Sequence, residues 1–569
     1  IIMSIQQFTS VFLMVGIAWL MGSCTSKEKD YRELPVETYV SKMKAGWIGQ
    51  MAGVGWGAPT EFQYNGEMIP ESEMPEWNPE MVNQFNQDDI YVEMTFLQSL
   101  EKYGMDVSME QAGIDFANSG YPLWHANRAS RNNLRSGIAP PDAGHPEHSK
   151  HADDIDYQIE ADYAGLIAPG MPNVAIALGE KFGRLMNYGD GMYGGQFVAG
   201  MYSEAFFEKD MEKVVRAGLE CIPEGSQYAE CIRDVLEWYD EYPDEWKKTW
   251  EEVEKKYNDK PEYRKFSCSG PESDFNIDAK INGAYIVMGL LYGNGDPDST
   301  IVISTRCGQD SDCNPSNAAG ILFTSMGYEN LPEKYTKALN EENTFSHTPY
   351  TFPKLISVCS DLVRESLERK GGQVKEGENG EKIFSIPRQK PEPSKLVQSW
   401  DPEPHANSLY AEEQMEQIEA YPRNDHQDEL AYISEDWEII NMGKNIAPEP
   451  GYHSVAGGKP DVFVSHPMNR ATSCEMKKGF EIPEGKSPLL YLNVGRQSEG
   501  AWELVVKVNG QPELRKVINK KNTNEEGWTD VVVDLKKYAG QHVTLSLNHQ
   551  YHDSDQAAAY WKEIRVEGL

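Results

Sequence analysis

The chain has 569 residues, more than one hydrophobic core usually holds, so two or three domains are expected. Hydrophobic residues make up 39% and charged residues 25%, which excludes a disordered chain and a multi-span membrane protein. The formal net charge is −37, with 90 acidic against 53 basic residues. Such a charge repels a phosphate backbone, so it argues against nucleic acid as a partner and favours cations and neutral sugars.

The N-terminal region predicts export. Residues 11–21 (VFLMVGIAWLM) are apolar but too few to span a bilayer as a mature helix, and Gly22, Ser23 and Cys24 follow them. This arrangement resembles a bacterial lipoprotein signal. We therefore expect residues 1–24 to be a signal, with Cys24 lipidated and the protein anchored to a membrane without spanning it, on the periplasmic side or at the cell surface. A plain secretory signal is the alternative, and it also implies export.

Residues 31–368 are predicted to be helical. Apolar residues recur at helical spacing in several segments, and two later segments are apolar enough to lie in the centre of a bundle. The amphipathic segments are 39–51, 90–103, 174–185, 196–207, 211–219 and 229–239, and the central ones are 281–291 and 318–326. The region is therefore expected to form an all-α domain.

The pattern changes after residue 368. Residues 369–398 are rich in Gly, Lys, Glu and Pro, which predicts a linker. Residues 399–569 contain strand-like runs between turn residues, which predicts a carbohydrate-binding-like β-sandwich of the jelly-roll type. The runs are 489–494, 502–508, 528–535, 543–547 and 558–566, and Trp502, Trp528 and Trp561 are expected in its core. The eight cysteines of the chain include no CxxC pair, which argues against a zinc ribbon and leaves disulfide pairing open.

A first acidic cluster opens the helix predicted at 90–103. Asp88 and Asp89 are adjacent at its start, and Glu93 lies one turn after Asp89 on the same face. Two acids at a helix start can cap the helix and interact with its dipole, or they can bind a metal ion. The position of Glu93 favours the metal.

A second acidic cluster lies at residues 308–314 (GQDSDCN), directly before a helix predicted at 316–326. Asp310 and Asp312 alternate there, so their carboxylates can converge. Oxygen ligands of this kind suit Mg²⁺, Mn²⁺ or Ca²⁺ rather than zinc. The alternative is an Asx-rich turn that caps the helix. If both clusters met, a divalent cation would remove the repulsion among their carboxylates.

Three ordered motifs resemble the ADP-ribosylglycohydrolase family. Its members carry G-D-A-x-G-A-P-x-E-F, then T-D-D-T-x-M-T, then G-x-D-x-D-T. This chain has GVGWGAPTEF at 53–62, QDDIYVEMT at 87–95 and GQDSDC at 308–313. The resemblance covers about residues 38–330.

The resemblance implies an orthogonal all-α bundle with a site for one or two Mg²⁺ or Mn²⁺ ions. The implied ligands are Asp88, Asp89, Asp310 and Asp312, and Asp89 would act in catalysis as well. The metal would bind vicinal hydroxyls of a ribofuranose-like ring and position a water at the anomeric carbon. Glu61 matches an acidic residue beside the family's site, so it is a candidate for substrate gating or proton transfer.

Three residues depart from the family's threonines. Gln87 and Ile90 flank the first Asp pair, and Cys313 follows the second. A glutamine carbonyl can bind a metal, Ile90 cannot, and a thiol is a soft ligand for magnesium. We therefore expect one metal site to be altered or lost, with Glu93 compensating and with Gln87 and Cys313 as further candidate ligands.

Further candidates lie between the motifs. Family members often show G-N-G-x-x-M-R before an Ala-Pro, and this chain reads EADYAGLIAP at 160–169. The exchange of an arginine for two acids disfavours a diphosphate and makes Glu160 and Asp162 candidates for hydroxyl binding or acid–base work, with helix capping as the alternative. Tyr188, Tyr193 and Asn314 are candidate substrate contacts, although a plain helix connection also explains the tyrosines.

A histidine series completes the candidates. His145, His148 and His151 are spaced three residues apart and could bind zinc, but no fourth ligand is evident from the sequence.

The sequence therefore predicts an exported, divalent-metal-dependent hydrolase. It would cleave an N- or O-glycosidic bond of a ribofuranose-like or related sugar in a glycan or glycoconjugate. One alternative is an enzyme that removes ADP-ribose from proteins or small molecules. Another is a sugar-binding lipoprotein with a decayed metal site.

Overall fold

The computed structural model describes residues 31–418, 427–430, 433–434, 437–443, 448–467, 470, 472–497, 500–552 and 558–568. The chain divides into two compact units. The first comprises the residues up to Ala117 together with His125–Tyr410, and the second comprises Asn118–Trp124 together with the residues from Ala411 onward. The apolar run at 11–21 and the predicted lipidation residue Cys24 lie outside the described residues. Within them, no helix combines the length and apolar character that a membrane crossing needs.

The first unit is helical. Its described helices are α1 (Val36–Gly57), α2 (Asp88–Tyr103), α3 (Met109–Ala117), α4 (His125–Arg135), α5 (Asp156–Ile159), α6 (Asp162–Leu166), α7 (Pro172–Leu178), α8 (Arg184–Met186), α9 (Gly189–Ala205), α10 (Met211–Leu219), α11 (Gln227–Glu241), α12 (Trp246–Val253), α13 (Ala279–Tyr292), α14 (Pro297–Arg306), α15 (Cys313–Met326) and α16 (Phe352–Arg369). Every residue of α13 and all but the last of α15 are buried, as their apolar sequences predicted. The helix predicted at 174–185 is divided by a π turn at Gly179–Gly183.

The contact between α1 and α15 is made possible by glycine. One face of α1 carries four glycines: Gly46, Gly49, Gly53 and Gly57. A Cβ atom at any of them would lie 2.4 Å or less from an atom of residues 311–324, which comprise the turn before α15 and most of α15. At Gly53 that atom is the Pro315 carbonyl oxygen. Because no side chain separates the two backbones, the turn before α15 lies directly against the end of α1. The glycine-rich motif therefore has a packing role.

A small sheet closes the first unit. Strands β1 (Tyr31–Pro35), β2 (Gln373–Glu376) and β3 (Lys382–Pro387) form an antiparallel sheet in the order β1-β3-β2. The structure thus differs from the linker predicted at 369–398, since two of these strands lie inside it. Most side chains of β2 are exposed. This stretch is therefore rich in polar and charged residues, and its composition resembles that of a linker.

The chain stays with the first unit beyond residue 398. The Asp142 carboxylate accepts hydrogen bonds from the backbone N–H groups of Ala406 at 2.9 Å and Ser408 at 2.6 Å. Ala139 N–H in turn donates to the Ser408 carbonyl at 3.0 Å. The division between the units therefore falls at Tyr410 and not at 398.

The second unit is a β structure with two short helices, α17 (Glu412–Met415) and α18 (Gln427–Leu430). Its strands are β4 (Glu438–Ile440), β5 (Gly451–Ala456), β6 (Lys459–Ser465), β7 (Cys474–Glu481), β8 (Leu489–Arg496), β9 (Trp502–Val508), β10 (Gln511–Ile518), β11 (Trp528–Asp534), β12 (His542–Tyr551) and β13 (Ala559–Glu567). They form two five-stranded antiparallel sheets, in the orders β10-β9-β12-β7-β4 and β11-β8-β13-β6-β5. All five predicted strands are present, and Trp502, Trp528 and Trp561 are buried. The predicted fold class, a helical domain followed by a β-sandwich, is confirmed.

Candidate metal centre

The first Asp pair forms the first two residues of α2. Asp88 Oδ1 accepts a hydrogen bond from the Asp89 backbone N–H at 3.2 Å, which is part of the expected capping role. Asp89 is fully buried, and neither of its carboxylate oxygens makes a hydrogen bond of acceptable geometry. An unpaired buried carboxylate is costly, so capping alone does not account for Asp89.

The second Asp pair lies in a tight turn before α15. Gly308 and Gln309 have φ angles of 84° and 55°, and a Cβ at Gly308 would lie 2.6 Å from two backbone oxygens. The Gln309 side chain fixes this turn, because its Oε1 accepts from the Asn276 N–H at 2.8 Å and its Nε2 donates to the Asp274 carbonyl at 2.8 Å. The turn that carries Asp310 is thus held from outside by a neighbouring loop.

The two pairs meet at Cys313, the first residue of α15. Its Sγ and one carboxylate oxygen from each of Asp88 and Asp89 all lie within 4.8 Å of one another. The same Sγ forms a second group of this kind with Asp310 and Asp312, each of which has one buried oxygen without a hydrogen-bond partner. We call these four aspartates the carboxylate centre. The starts of two helices that are distant in sequence build it.

The carboxylates of this centre raise one another's pKa values. Burial and the charge of Asp312 raise the pKa of Asp88 to about 6. Burial, followed by the charges of Asp88 and Asp312, raises the pKa of Asp89 well above its ordinary value, and the nearby Ser316 hydroxyl offsets only part of this. Burial and Asp312 do the same for Asp310. Unpartnered buried oxygens that repel one another fit a divalent cation, which would allow all four to ionise.

Two further acids adjoin the centre. Glu61 is exposed, and its charge contributes to the raised pKa of Asp310, so it lies at the rim. Glu160 is fully buried; its Oε1 accepts a hydrogen bond from Asn127 Nδ2, and its Oε2 has no partner. Burial, followed by the charges of Asp156 and Asp88, raises the pKa of Glu160 well above its ordinary value. The raised pKa of Glu160 favours its protonated form.

Comparison with known proteins identifies the family to which the chain belongs. The sequence profile of the ADP-ribosylglycohydrolase family matches residues 35–370. This chain belongs to the ADP-ribosylglycohydrolase family. Membership indicates a hydrolase that acts on glycosyl bonds. None of the curated proteins matches the chain.

Several solved structures resemble parts of this family member. An ADP-ribosylglycohydrolase-related protein complex is 13% identical, with a TM-score of 0.35, over 58% of this chain and 99% of the other. A family 35 carbohydrate-binding module from an environmental isolate is 19% identical, with a TM-score of 0.18, over 24% and 91%. Another module of that family, from Clostridium thermocellum, is 13% identical, with a TM-score of 0.17, over 24% and 96%.

Two predicted site residues of this family member serve the helix packing. The Glu93 carboxylate accepts from Gln50 Nε2 at 2.5 Å and from the Tyr163 backbone N–H at 2.9 Å. The Asp162 carboxylate accepts from the Tyr202 hydroxyl and from Asn317 Nδ2, the latter at 2.7 Å. Both oxygens of each acid are occupied. Both acids therefore have a packing role, and the ligand role of Glu93 and the acid–base role of Asp162 stay predictions.

The two predicted sugar-facing tyrosines are also structural. Tyr193 donates its hydroxyl to the Lys395 carbonyl at 2.7 Å and accepts from the Val397 N–H at 2.8 Å. The Tyr188 hydroxyl accepts from the Glu403 N–H at 3.1 Å. These tyrosines hold the segment that follows β3, and their contact with substrate stays a prediction.

Two further predictions remain open. Asn314 is buried, donates from Nδ2 to Asn282 Oδ1 at 2.8 Å, and leaves its own Oδ1 without a partner. Gln87 precedes α2, and its Nε2 donates to Gln84 Oε1 at 3.5 Å. A substrate contact by Asn314 and metal ligation by Gln87 stay predictions.

The histidine series does not form one site. His145 Nε2 lies 2.8 Å from the Glu403 carbonyl oxygen, and the His148 ring packs edge-on against His405 at 5.1 Å. His151 instead contacts Asp154, with 2.6 Å between Nδ1 and Oδ2. Spacing in the sequence could not distinguish His151 from the other two.

Sequence reasoning also missed Asp156. Its carboxylate accepts from the Ala126 N–H at 3.1 Å and the Asn127 N–H at 2.8 Å, so it caps the N-terminus of α4. This cap orients Asn127, which donates to Glu160. An acid 30 residues after the helix start that it caps gives no local signal, because capping motifs are recognised from adjacent residues.

Proposed function

We propose that the protein is a divalent-metal-dependent hydrolase that cleaves an N- or O-glycosidic bond of a ribofuranose-like or related sugar. The observation that carries this proposal is the convergence of Asp88 and Asp89 with Asp310 and Asp312 around Cys313, with four carboxylate oxygens buried and unpartnered. Mg²⁺ and Mn²⁺ are the ions that such oxygen donors prefer.

The protein groups divide the chemical work between them. The four aspartates would hold the ion, which when bound supplies Lewis acidity to sugar hydroxyls and to a water. Glu160, whose pKa is raised by burial, would donate a proton to the departing group. Glu61, at the exposed rim, would accept a proton from the attacking water or bind a sugar hydroxyl.

An aromatic row beside Glu61 supports a sugar substrate. Phe62 follows Glu61 directly, its ring packs against Phe275 at 5.3 Å, and Phe275 stacks on His125 at 5.9 Å. Aromatic faces pack well against the apolar face of a sugar ring and shield the bond from water. The acids around the centre would repel a diphosphate, so we favour a neutral or cationic glycoside over ADP-ribose.

Cation binding provides the first test. The chain is stripped with EDTA and titrated with Mn²⁺ and with Mg²⁺ in a calorimeter. Asp310→Asn and Asp88→Asn should weaken binding by at least about tenfold, since outer-shell changes alone cost that much. Asp361→Asn is the matched control, because it removes the same charge from an exposed position on α16. Wild-type protein that binds neither ion would overturn the proposal in favour of a sugar-binding protein with a decayed site.

Turnover provides the second test. Arabinofuranosides, ribofuranosides and ADP-ribosyl-arginine are assayed with and without EDTA. Hydrolysis of a furanoside that stops with EDTA supports the proposal. Hydrolysis of ADP-ribosyl-arginine alone identifies an ADP-ribosyl hydrolase, the activity that the family name suggests.

We also propose export and a lipid anchor, from the sequence of residues 11–24. Cys24 would carry the lipid, on the periplasmic side or at the cell surface. Wild-type protein should fractionate with membranes after expression in a bacterium, and Cys24→Ser should not. Equal fractionation of the two would refute the anchor.

A further inference from the structure

A second group of metal-ligating side chains lies outside the carboxylate centre. His125 begins α4, His151 and Asp154 lie in the loop before α5, and Cys268 lies in the loop between α12 and α13. One ligand atom from each of the four lies within 4.8 Å of the other three. We call these residues the His/Cys cluster. Since 143 residues separate its first member from its last, the fold alone brings it together.

Two ligand atoms of the cluster lack a hydrogen bond. Asp154 Oδ2 lies 2.6 Å from His151 Nδ1 and 3.3 Å from His125 Nδ1. Asp154 is fully buried, yet its Oδ1 has no hydrogen-bond partner, and His125 Nδ1 makes no hydrogen bond of acceptable geometry. Burial alone would raise the pKa of Asp154, but the two imidazoles hold it below its ordinary value. An ionised carboxylate with one unsatisfied oxygen therefore faces two imidazoles and a thiol.

The backbone on the Asp154 side is fixed by pairing with the residues that precede α13. Asp154 forms an antiparallel bridge with Asp278, and the flanking hydrogen bonds run from the Ile155 N–H to the Ile277 carbonyl at 3.1 Å and from the Ala279 N–H to the Asp153 carbonyl at 2.9 Å.

The Cys268 loop is held from its interior. The buried Arg264 guanidinium donates to the Ser273 carbonyl at 2.6 Å and to the Phe275 carbonyl at 3.0 Å. It also donates to the Ser267 hydroxyl, the residue before Cys268, at 3.1 Å. Both loops are thus positioned before any ligand binds, which lowers the cost of binding one.

We propose that His125, His151, Asp154 and Cys268 bind a zinc ion, at a site separate from the carboxylate centre. Two imidazole nitrogens, a thiolate and a carboxylate are donors that zinc accepts in a tetrahedron, and four protein ligands make a closed, structural site. Magnesium does not bind such a set, because it prefers oxygen and water. On binding, the Cys268 thiol gives its proton to solvent and its sulfur bonds to the ion.

The ion would stabilise the aromatic row beside the carboxylate centre. It would tie the start of α4 to the loop that carries Phe275, whose ring stacks on His125 and contacts Phe62. Phe62 adjoins Glu61 at the rim of the centre. Zinc in the cluster would thus have an organising role without touching substrate.

Metal analysis of the purified chain tests the proposal. Protein prepared in chelator-free buffer should contain zinc in an equimolar amount by inductively coupled plasma mass spectrometry. Cys268→Ser and His151→Ala should lose it, whereas Cys313→Ser, which removes the thiol of the carboxylate centre, should keep it. Wild-type protein that neither retains nor takes up zinc would overturn the proposal, as would retention of zinc by Cys268→Ser.

Cobalt substitution locates the ion independently of yield. The cobalt-loaded chain should show a thiolate-to-cobalt charge-transfer band that persists in Cys313→Ser and disappears in Cys268→Ser. The opposite pattern would place the soft ion at Cys313 and refute the site. Because a variant can misfold, zinc addition after chelation should raise the melting temperature of wild type but leave that of Cys268→Ser unchanged, with both circular-dichroism spectra helical. Equal stabilisation of both would also refute the site.

Discussion

The geometry of α1 makes Gly53→Ala a discriminating substitution. On helix propensity alone it should stabilise the protein by about 1 kcal/mol, because glycine is the less favourable residue in a helix interior. The structure predicts the opposite sign. A Cβ at this position would lie 2.2 Å from the Pro315 carbonyl oxygen and 2.5 Å from the Ser316 nitrogen, both of which are backbone atoms. No rotamer change can relieve such a contact.

The size of the effect follows from the distance. Ordinary contact for a Cβ begins at 3.4 Å, so the backbone of α15 must move by roughly 1 Å. Because the contacts are with backbone atoms, overpacking should cost close to the upper end of its usual range, about 3 kcal/mol, which exceeds the propensity gain of about 1 kcal/mol. The movement is transmitted to Asp310 and Asp312, which precede α15 in the same turn. A displacement of about 1 Å at a reacting centre lowers activity by about 100-fold.

Unfolding and cation titration of Gly53→Ala measure the two effects. Urea unfolding followed by helical circular dichroism should give a lower free energy of unfolding than wild type, and Mn²⁺ should bind at least about tenfold more weakly. Gly479→Ala in β7 is the control, since the side chain of a described residue nearest its new Cβ is the His542 ring at 3.3 Å, which can rotate away. If Gly53→Ala were more stable than wild type and bound Mn²⁺ equally well, the close contact of α1 and α15 would not position the carboxylate centre.

Three further substitutions test individual residues. With the cation chelated, Asp88→Asn should be more stable than wild type by up to about 3 kcal/mol at about pH 7.5, because the folded pKa of Asp88 rises from 3.8 to about 6 at about 1.4 kcal/mol per unit. In wild type this loss of stability begins above about pH 4, where Asp88 ionises in the unfolded chain, and is complete above the folded pKa. Equal urea midpoints for wild type and Asp88→Asn at about pH 7.5 would contradict the prediction. Glu160→Gln should lower kcat by at least about 100-fold, while the affinity for Mn²⁺ stays within about twofold of the wild-type value. The fall in rate that wild type shows towards high pH should be absent from the pH–rate profile of the variant. An unchanged kcat would show that Glu160 takes no part in the chemistry. Tyr193→Phe should lose about 1 kcal/mol of stability with kcat/KM unchanged, because the described partners of its hydroxyl are backbone groups of Lys395 and Val397. A raised KM would instead support a contact between Tyr193 and the substrate.

The features that the sequence predicted are those encoded by neighbouring residues. The period of apolar residues identifies α1, α2, α13 and α15, and strand-like runs identify β8, β9, β11, β12 and β13 but not β10. The two Asp pairs were assigned correctly to helix starts, because acids adjacent to a helical period give a local signal. Their meeting was inferred from the order of motifs in the family, and the structure supplies the physical reason, which is the glycine face of α1.

The features that the sequence did not predict depend on distant partners. Glu93 lies one turn from Asp89, but its carboxylate accepts hydrogen bonds from the Gln50 side chain and the Tyr163 backbone N–H. The segment after β3 was interpreted as a linker because its hydrogen-bond partners, such as Tyr193, lie some 200 residues earlier. Cys268 gave no signal at all, since its neighbours in the His/Cys cluster come from a different part of the chain.

The position of Cys313 constrains the ion content of the carboxylate centre. Its Sγ belongs to both groups of candidate ligands, within 4.8 Å of an oxygen of each aspartate. Burial, followed by the charges of Asp310 and Asp312, raises the pKa of this thiol well above its ordinary value, so it is neutral in the absence of an ion. A hard cation gains little from a neutral thiol and cannot readily ionise it, whereas carboxylate oxygens of both pairs lie near by. We therefore expect the aspartates to hold a hard cation, with Cys313 as an uncharged neighbour.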